Sequence, residues 1–181
     1  MAAPRCAIGY APAMYYETFR QFRKMLAQVD KWLEAADAFA KEKSFDSDLF
    51  LGFRLAPDQF AFARQLQTTC DTAKVAASRL TGKEAPKHED SEKTLAELRA
   101  RVAAVLAYLD GFTAQDFAGA ATRVVTQPRW EGKVMSGADY FMEHAVPNFF
   151  FHLSQTYAIL RHNGVNIGKR DYLGQLSLRA P

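Results

Sequence analysis

Residues 147–174, PNFFFHLSQTYAILRHNGVNIGKRDYLG, decide the fold. Pro147 suits a first helical turn, where its missing N–H is no loss. Arg161, His162, Asn163 and Gly164 form a helix C-terminal pattern, with positive charge followed by glycine. Between them, Phe149, Phe150, Phe151, Leu153, Tyr157 and Leu160 cover most of the circumference, which predicts a helix buried nearly all round. Asn148, His152, Gln155 and Ile159 fall at steps of four, three and four, so they share one stripe. Polar groups inside an apolar helix are costly unless satisfied, so His152 and its neighbours need partners.

Working outward, the remaining segments also read as helices. Phe19, Phe22, Leu26, Val29 and Leu33 recur at helical spacing within a run from Pro12 to about Lys43, long enough to kink near Gln28 to Lys31. Asp46 or Ser47 caps a short turn ending near Gly52. Pro57, with Asp58 behind it, predicts the start of a second long helix, whose core stripe is Phe62, Leu66, Thr69 and Ala73 and whose stop is Gly82. GKEAPKHEDS is a polar loop. Ser91 predicts a third helix to Leu109, ended by Gly111, with Leu95, Leu98, Val102, Val105, Leu106 and Leu109 on one stripe. Thr113-x-x-Asp116 reads as a capped turn. Residues 121–134 are rich in β-branched side chains and turn signals and predict a small β-hairpin or extended flap. Ser136-x-x-Asp139 opens a further helix through Glu143, which Pro147 kinks or separates from the last. Four principal helices predict an all-α four-helix bundle of one domain, with loose termini at 1–11 and 175–181.

Composition narrows the function classes. The 181 residues are 49% hydrophobic, with fourteen Phe and seven Tyr, and suit one aromatic-rich core. The net charge of +3 is scattered, and Glu17 and Asp30 flank Arg20, Arg23 and Lys24, which argues against a nucleic-acid partner. Cys6 and Cys70 form neither a disulfide framework nor a C-x-x-C pair. No signal-peptide pattern or membrane-length apolar run occurs, so the expectation is a soluble, cytoplasmic chain with no membrane contact. Phosphate loops, nucleophile elbows and H-E-x-x-H motifs are absent from the sequence.

Candidate chemistry centres on His152. It reads either as a metal ligand or general base in a polar pocket, or as a core histidine hydrogen-bonded to a neighbour. Arg64, Gln67, Asp71 and Lys74 share a face of the second helix. Turned inward, Asp71 or Gln67 meets His152; turned outward, the face is solvated. His88 reads as solvent-exposed, His162 as a helix C-terminal cation, and His144 as a residue near the pocket mouth. Cys70 reads as a small buried residue.

RLAPDQFAFARQLQTTCDTAK (Arg54 to Lys74) and the stretch from Val146 to Gly174 resemble an uncharacterised bacterial family of unknown function within the DinB-like (YfiT-like) superfamily. The likeness runs from about Tyr15 to Gly174. It implies a bundle with a long crossover and a homodimer. It also implies a superfamily site in which one histidine from the second helix and an H-x-x-x-H from the last hold a divalent metal such as zinc or nickel, in some members for thiol transfer. Here the last-helix motif is Asn148-x-x-x-His152, and the second helix has no histidine; Gln65, Gln67 or Asp71 would have to substitute. The expectation is therefore a bundle with a polar pocket around His152, Asn148, Gln155 and Gln67, binding a small molecule and no cofactor. The alternative is a metal-dependent thiol transferase or hydrolase using His152 and Asp71.

Overall fold

The computed structural model describes residues 11–180. Helix α1 (Pro12–Glu42) is one uninterrupted α-helix, so the expected break near Gln28 to Lys31 does not form. A 3₁₀ turn (Ser47–Gly52), capped by Asp46, leads to α2 (Phe62–Thr81) and then α3 (Leu95–Asp110). The strands β1 (Val124–Val125) and β2 (Met135–Ser136) pair antiparallel as a small hairpin. One turn, α4 (Gly137–Asp139), continues through a π-helical segment (Tyr140–Ala145) into α5 (Val146–His162), and α6 (Lys169–Leu173) follows.

The four long helices α1, α2, α3 and α5 make the bundle. α1 packs on α3 and α5, and α2 packs on the same pair from the other side. Both connections that join diagonal helices, 43–61 and 111–136, are therefore long, and the hairpin belongs to the second. The core stripes expected of α1 and α2 are buried throughout. At its centre Phe149 stacks on Phe22, with ring centroids 4.0 Å apart and planes 18° apart.

Two helix starts differ from the expectation. α2 opens at Phe62 behind Ala61, because Pro57 lies in a turn that returns the Phe62 amide to the Phe53 carbonyl (2.8 Å). α3 opens at Leu95, because Thr94 and Glu97 make the reciprocal capping box that Ser91 lacks. Pro147 neither ends nor isolates its helix. Its missing N–H and its ring conflict with the carbonyl four residues back, and the wider π turn directly before it relieves that conflict. Nor is α5 buried all round: Phe151 is 52% exposed, because a bundle helix touches two neighbours and leaves an outer stripe. α6 was not foreseen; Tyr172 on it stacks on buried Trp32, whose indole N–H donates to the Asp171 carbonyl (3.1 Å).

Residues 174–180 carry no helix or strand. The expected loose segment 1–11, including Cys6, lies outside the described residues except for Ala11. No helix among the described residues is long and apolar enough to cross a membrane.

Contacts at the two ends of the hairpin segment hold it against the bundle. Gly82 ends α2 with φ of 82°, and the Arg123 guanidinium, 2.8 Å from where a Cβ there would sit, donates to the Thr81 carbonyl (2.7 Å). At the other end the Ala120 carbonyl oxygen lies 1.9 Å from the position a Cβ on Gly137 would take, so only glycine permits that approach.

Candidate functional site

The polar stripe of α5 faces α2 and the turn before it. His152 donates from Nδ1 to Gln65 Oε1 (2.7 Å). Gln65 Nε2 in turn donates to the Phe60 carbonyl (3.3 Å), which orients the amide with its oxygen toward the ring. The imidazole proton therefore sits on Nδ1, and the lone pair on Nε2. Asn148 Nδ2 donates to Thr72 Oγ1 (2.7 Å), and Gln59 Nε2 donates to Gln155 Oε1 (3.1 Å). Each polar residue of the stripe thus has an uncharged partner across the seam. Burial, and then the nearby Arg64 charge, hold the His152 pKa below its ordinary 6.5, so the ring is neutral at pH 7. The Phe60 ring lies parallel to it, 6.2 Å away.

Gln67 and Asp71 do not join this seam. Each residue turns an α-helix by about 100°, so Gln67, two positions past Gln65, points to the far side of α2. There Gln67 Nε2 donates to Glu92 (2.8 Å), and Asp71 pairs with Arg101 (2.7 Å) and Lys74 (2.9 Å). Arg101, 3% exposed, also meets Asp90 (3.0 Å) and Glu92 (2.8 Å), and ties α3 to α2 and the loop between them. Burial opposes its charge, yet Glu92 and Asp71 raise its pKa. His88 is half-buried in this network rather than solvated, with Nδ1 2.7 Å from Lys74 Nζ. Cys70 is buried on the same helix, and burial pushes its thiol up to about 12, which leaves no thiolate for chemistry.

Sequence reasoning did not find Gln59, Thr68 or Thr72. Gln65, Thr68 and Thr72 recur at steps of three and four, a polar stripe one residue, about 100°, around the helix from the one singled out. Nor did it find the cavity beside the seam. This space of about 340 Å³ lies among α2, the hairpin loop and the π segment, and is lined by Thr72, Asn148 and His144 together with Arg79, Gln127 and Arg129. Asp71 reaches its edge. Arg79 donates to Gln127 Oε1 (3.2 Å) and Tyr140 Oη (3.4 Å) and lies over the Tyr140 ring. Arg129 Nη2 meets His144 Nε2. Burial, then Arg129 and Arg79, lower the His144 pKa.

The superfamily's metal does not fit these residues. Zinc and nickel favour imidazole and thiolate, whereas the seam has one imidazole, with amides and a hydroxyl already committed to each other. Among the described residues no three His, Cys, Asp or Glu side chains converge.

The four long helices, with long connections between the diagonal pairs, are consistent with a DinB-like helical bundle. The chain belongs to the DinB-like family described as a domain of unknown function, DUF1993, whose model matches residues 14–173. It is similar to a crystal structure described as a DinB family member from Shewanella denitrificans, with 53% identity and a TM-score of 0.90 over 94% of this chain and 97% of that one. No curated protein matches.

Proposed function

We propose that the protein binds a small organic molecule in the cavity beside Asn148, with His152 held neutral in the adjoining seam rather than serving a metal. The observation that carries this reading is a pair of buried polar atoms without partners on two residues of the cavity lining, Gln127 Nε2 and His144 Nδ1. An unsatisfied buried donor costs about 1–3 kcal/mol, and a ligand that accepts from it recovers that cost. The volume of about 340 Å³ is at the small end of ligand pockets. Supporting it further, the π segment that supplies Tyr140 and His144 is a form of helix frequent at functional sites.

The alternative, a metal-dependent thiol transferase or hydrolase built on His152 and Asp71, has less support. The Asp71 carboxylate is taken by two cations, Arg101 and Lys74, and has no contact with His152 among the described hydrogen bonds.

A thermal-shift screen against metabolites, thiols and divalent metals separates the two. A molecule present at a hundredfold its Kd stabilises by about 2.7 kcal/mol, which for a chain of this size is roughly 5–10 °C. The expected result is such a shift with an organic compound, abolished in Val75→Trp, which fills the cavity. A shift that survives Val75→Trp, or no shift with any organic compound, contradicts the proposal. A shift with a transition metal alone that is lost in His152→Ala supports the alternative.

A further inference from the structure

The cavity wall holds two arginines, Arg79 and Arg129. Among the described residues neither Arg79 nor Arg129 has a carboxylate partner; their polar contacts are Gln127, Tyr140 and His144. Elsewhere in the protein Arg23, Arg64, Arg99 and Arg101 are each matched with acids, whereas Arg54, Arg123 and Arg161 donate to backbone carbonyls. Asp71, the one acidic residue in the cavity wall, is already neutralised by Arg101 and Lys74.

The hydrogen-bond directions make the wall a set of donors. Gln127 Oε1 accepts from Arg79, which leaves its Nε2 as a donor with no acceptor. His144 Nε2 accepts from Arg129, because a guanidinium can only donate. The proton of the neutral ring is then on Nδ1, a second buried donor with no acceptor. Two guanidiniums and two neutral N–H groups thus belong to residues around one space, and they outnumber its acceptors, which are Asn148 Oδ1, the threonine hydroxyls and the already paired Asp71 carboxylate. The apolar part of the wall is Val75, Pro128 and the Tyr140 ring, against which His144 stacks with centroids 5.4 Å apart, and Thr68, Thr72 and Asn148 complete it.

We infer that this cavity takes the carboxylate of a small organic acid, with Arg79, Arg129, Gln127 Nε2 and His144 Nδ1 as its donors and the apolar wall against the rest of the molecule. The inference rests on the small-molecule reading above and names the ligand's class. A carboxylate offers two oxygens with about four acceptor sites, which matches four donor groups. The planar fork of arginine suits it, and charge-assisted bonds of this kind are about twice as strong as neutral ones. Gln127 and Arg129 sit on the loop between β1 and β2, two-residue strands, so the donors can close on a bound acid by adjustment of the loop alone.

Titration calorimetry with acetate, benzoate and 3-phenylpropionate, with benzamide and inorganic phosphate as controls, tests this. At least one carboxylate is expected to bind with Kd below about 20 mM, and benzamide and phosphate are not. In Arg129→Gln, a change at an exposed loop position, and in Arg79→Met the affinity is expected to fall at least about tenfold, the loss of one charge-assisted hydrogen bond. Melting curves confirm that both variants are folded. Equal binding of benzamide and benzoate overturns the carboxylate assignment and leaves the small-molecule reading standing. Binding of phosphate without any carboxylate overturns it in favour of another anion. Carboxylate binding that is unchanged in both variants places the acid elsewhere and overturns it. No carboxylate binding up to about 20 mM, while the broad screen finds a neutral ligand blocked by Val75→Trp, overturns the inference alone; failure of both overturns both.

Discussion

Replacing Arg101 by alanine is expected to destabilise the protein by about 3–5 kcal/mol, because it removes the buried cation that joins three acids and leaves the largely enclosed Glu92 carboxylate without it. The side chain is almost wholly enclosed and meets Asp71, Asp90 and Glu92 at 2.7–3.0 Å. Glu92 is itself 11% exposed in its side chain. For a chain of this size the loss corresponds to a melting temperature lower by roughly 6–20 °C. The pH dependence follows from the same contacts. Burial works against the charge on Glu92 and Asp90, yet Arg101, helped by Gln67, holds the Glu92 carboxyl below its ordinary 4.5, and Arg64, helped by Arg101, holds that of Asp90 below 3.8. A lowered carboxylate pKa contributes stability above its unfolded value and loses it as pH falls through the folded one. The gap between wild type and Arg101→Ala is therefore full near neutrality and narrows below about pH 4.5. A difference under about 1 kcal/mol at pH 7, or one that widens in acid, would show that the network holds nothing together.

Phe149→Ala is expected to cost a similar amount, about 3–5 kcal/mol, through the cavity it opens between α5 and α1. Phe149 is fully buried, stacked on Phe22 at 4.0 Å, and edge-on to Phe150 at 5.3 Å. Phe151→Ala is the control: the same truncation on the outer stripe of the same helix, where half the ring already meets solvent. Chemical denaturation of the two variants measures the difference. Equal losses would mean that the helix is not rotated as described here.

These two residues also mark what the sequence made legible. Phe149 sits in the run whose apolar content and terminal signals identified a buried helix before any coordinates, and the glycine stops at Gly82 and Gly111 and the capped turns at Thr113 and Ser136 were equally readable. Local chemistry fixes such features. Pro57 misled because proline at a turn and proline at a helix start carry the same local signal. The Thr94-x-x-Glu97 box lies three residues beyond Ser91, and a serine before a helical stripe carries a start signal even without a reciprocal partner. The π segment had no signal of its own, since the conflict around Pro147 can be met by a kink, a break or a wider turn.

The site was half legible for a related reason. His152, Asn148 and Gln155 were found because their spacing on one helix is a local property. Their partners depend on how α2 is rotated about its axis, which no residue of α2 alone determines; hence Gln65 was in view but Gln67 and Asp71 were set beside it. The cavity was out of reach altogether. Arg79, Gln127, Arg129 and Tyr140 come from three separate segments, and only the close approaches at Gly82 and Gly137 bring the hairpin loop over the end of the bundle.

The central claim is that His152 is a neutral imidazole bonded through Nδ1–H to Gln65, in a seam of amides that is no metal centre. Ring-nitrogen NMR of histidine-labelled protein, recorded at pH 7 before and after addition of one equivalent of zinc, reads this directly. The account predicts for His152 the Nδ1-protonated neutral tautomer, with both ring resonances unmoved by zinc. A ring that is charged at pH 7, protonated on Nε2, or shifted stoichiometrically by the metal would contradict it.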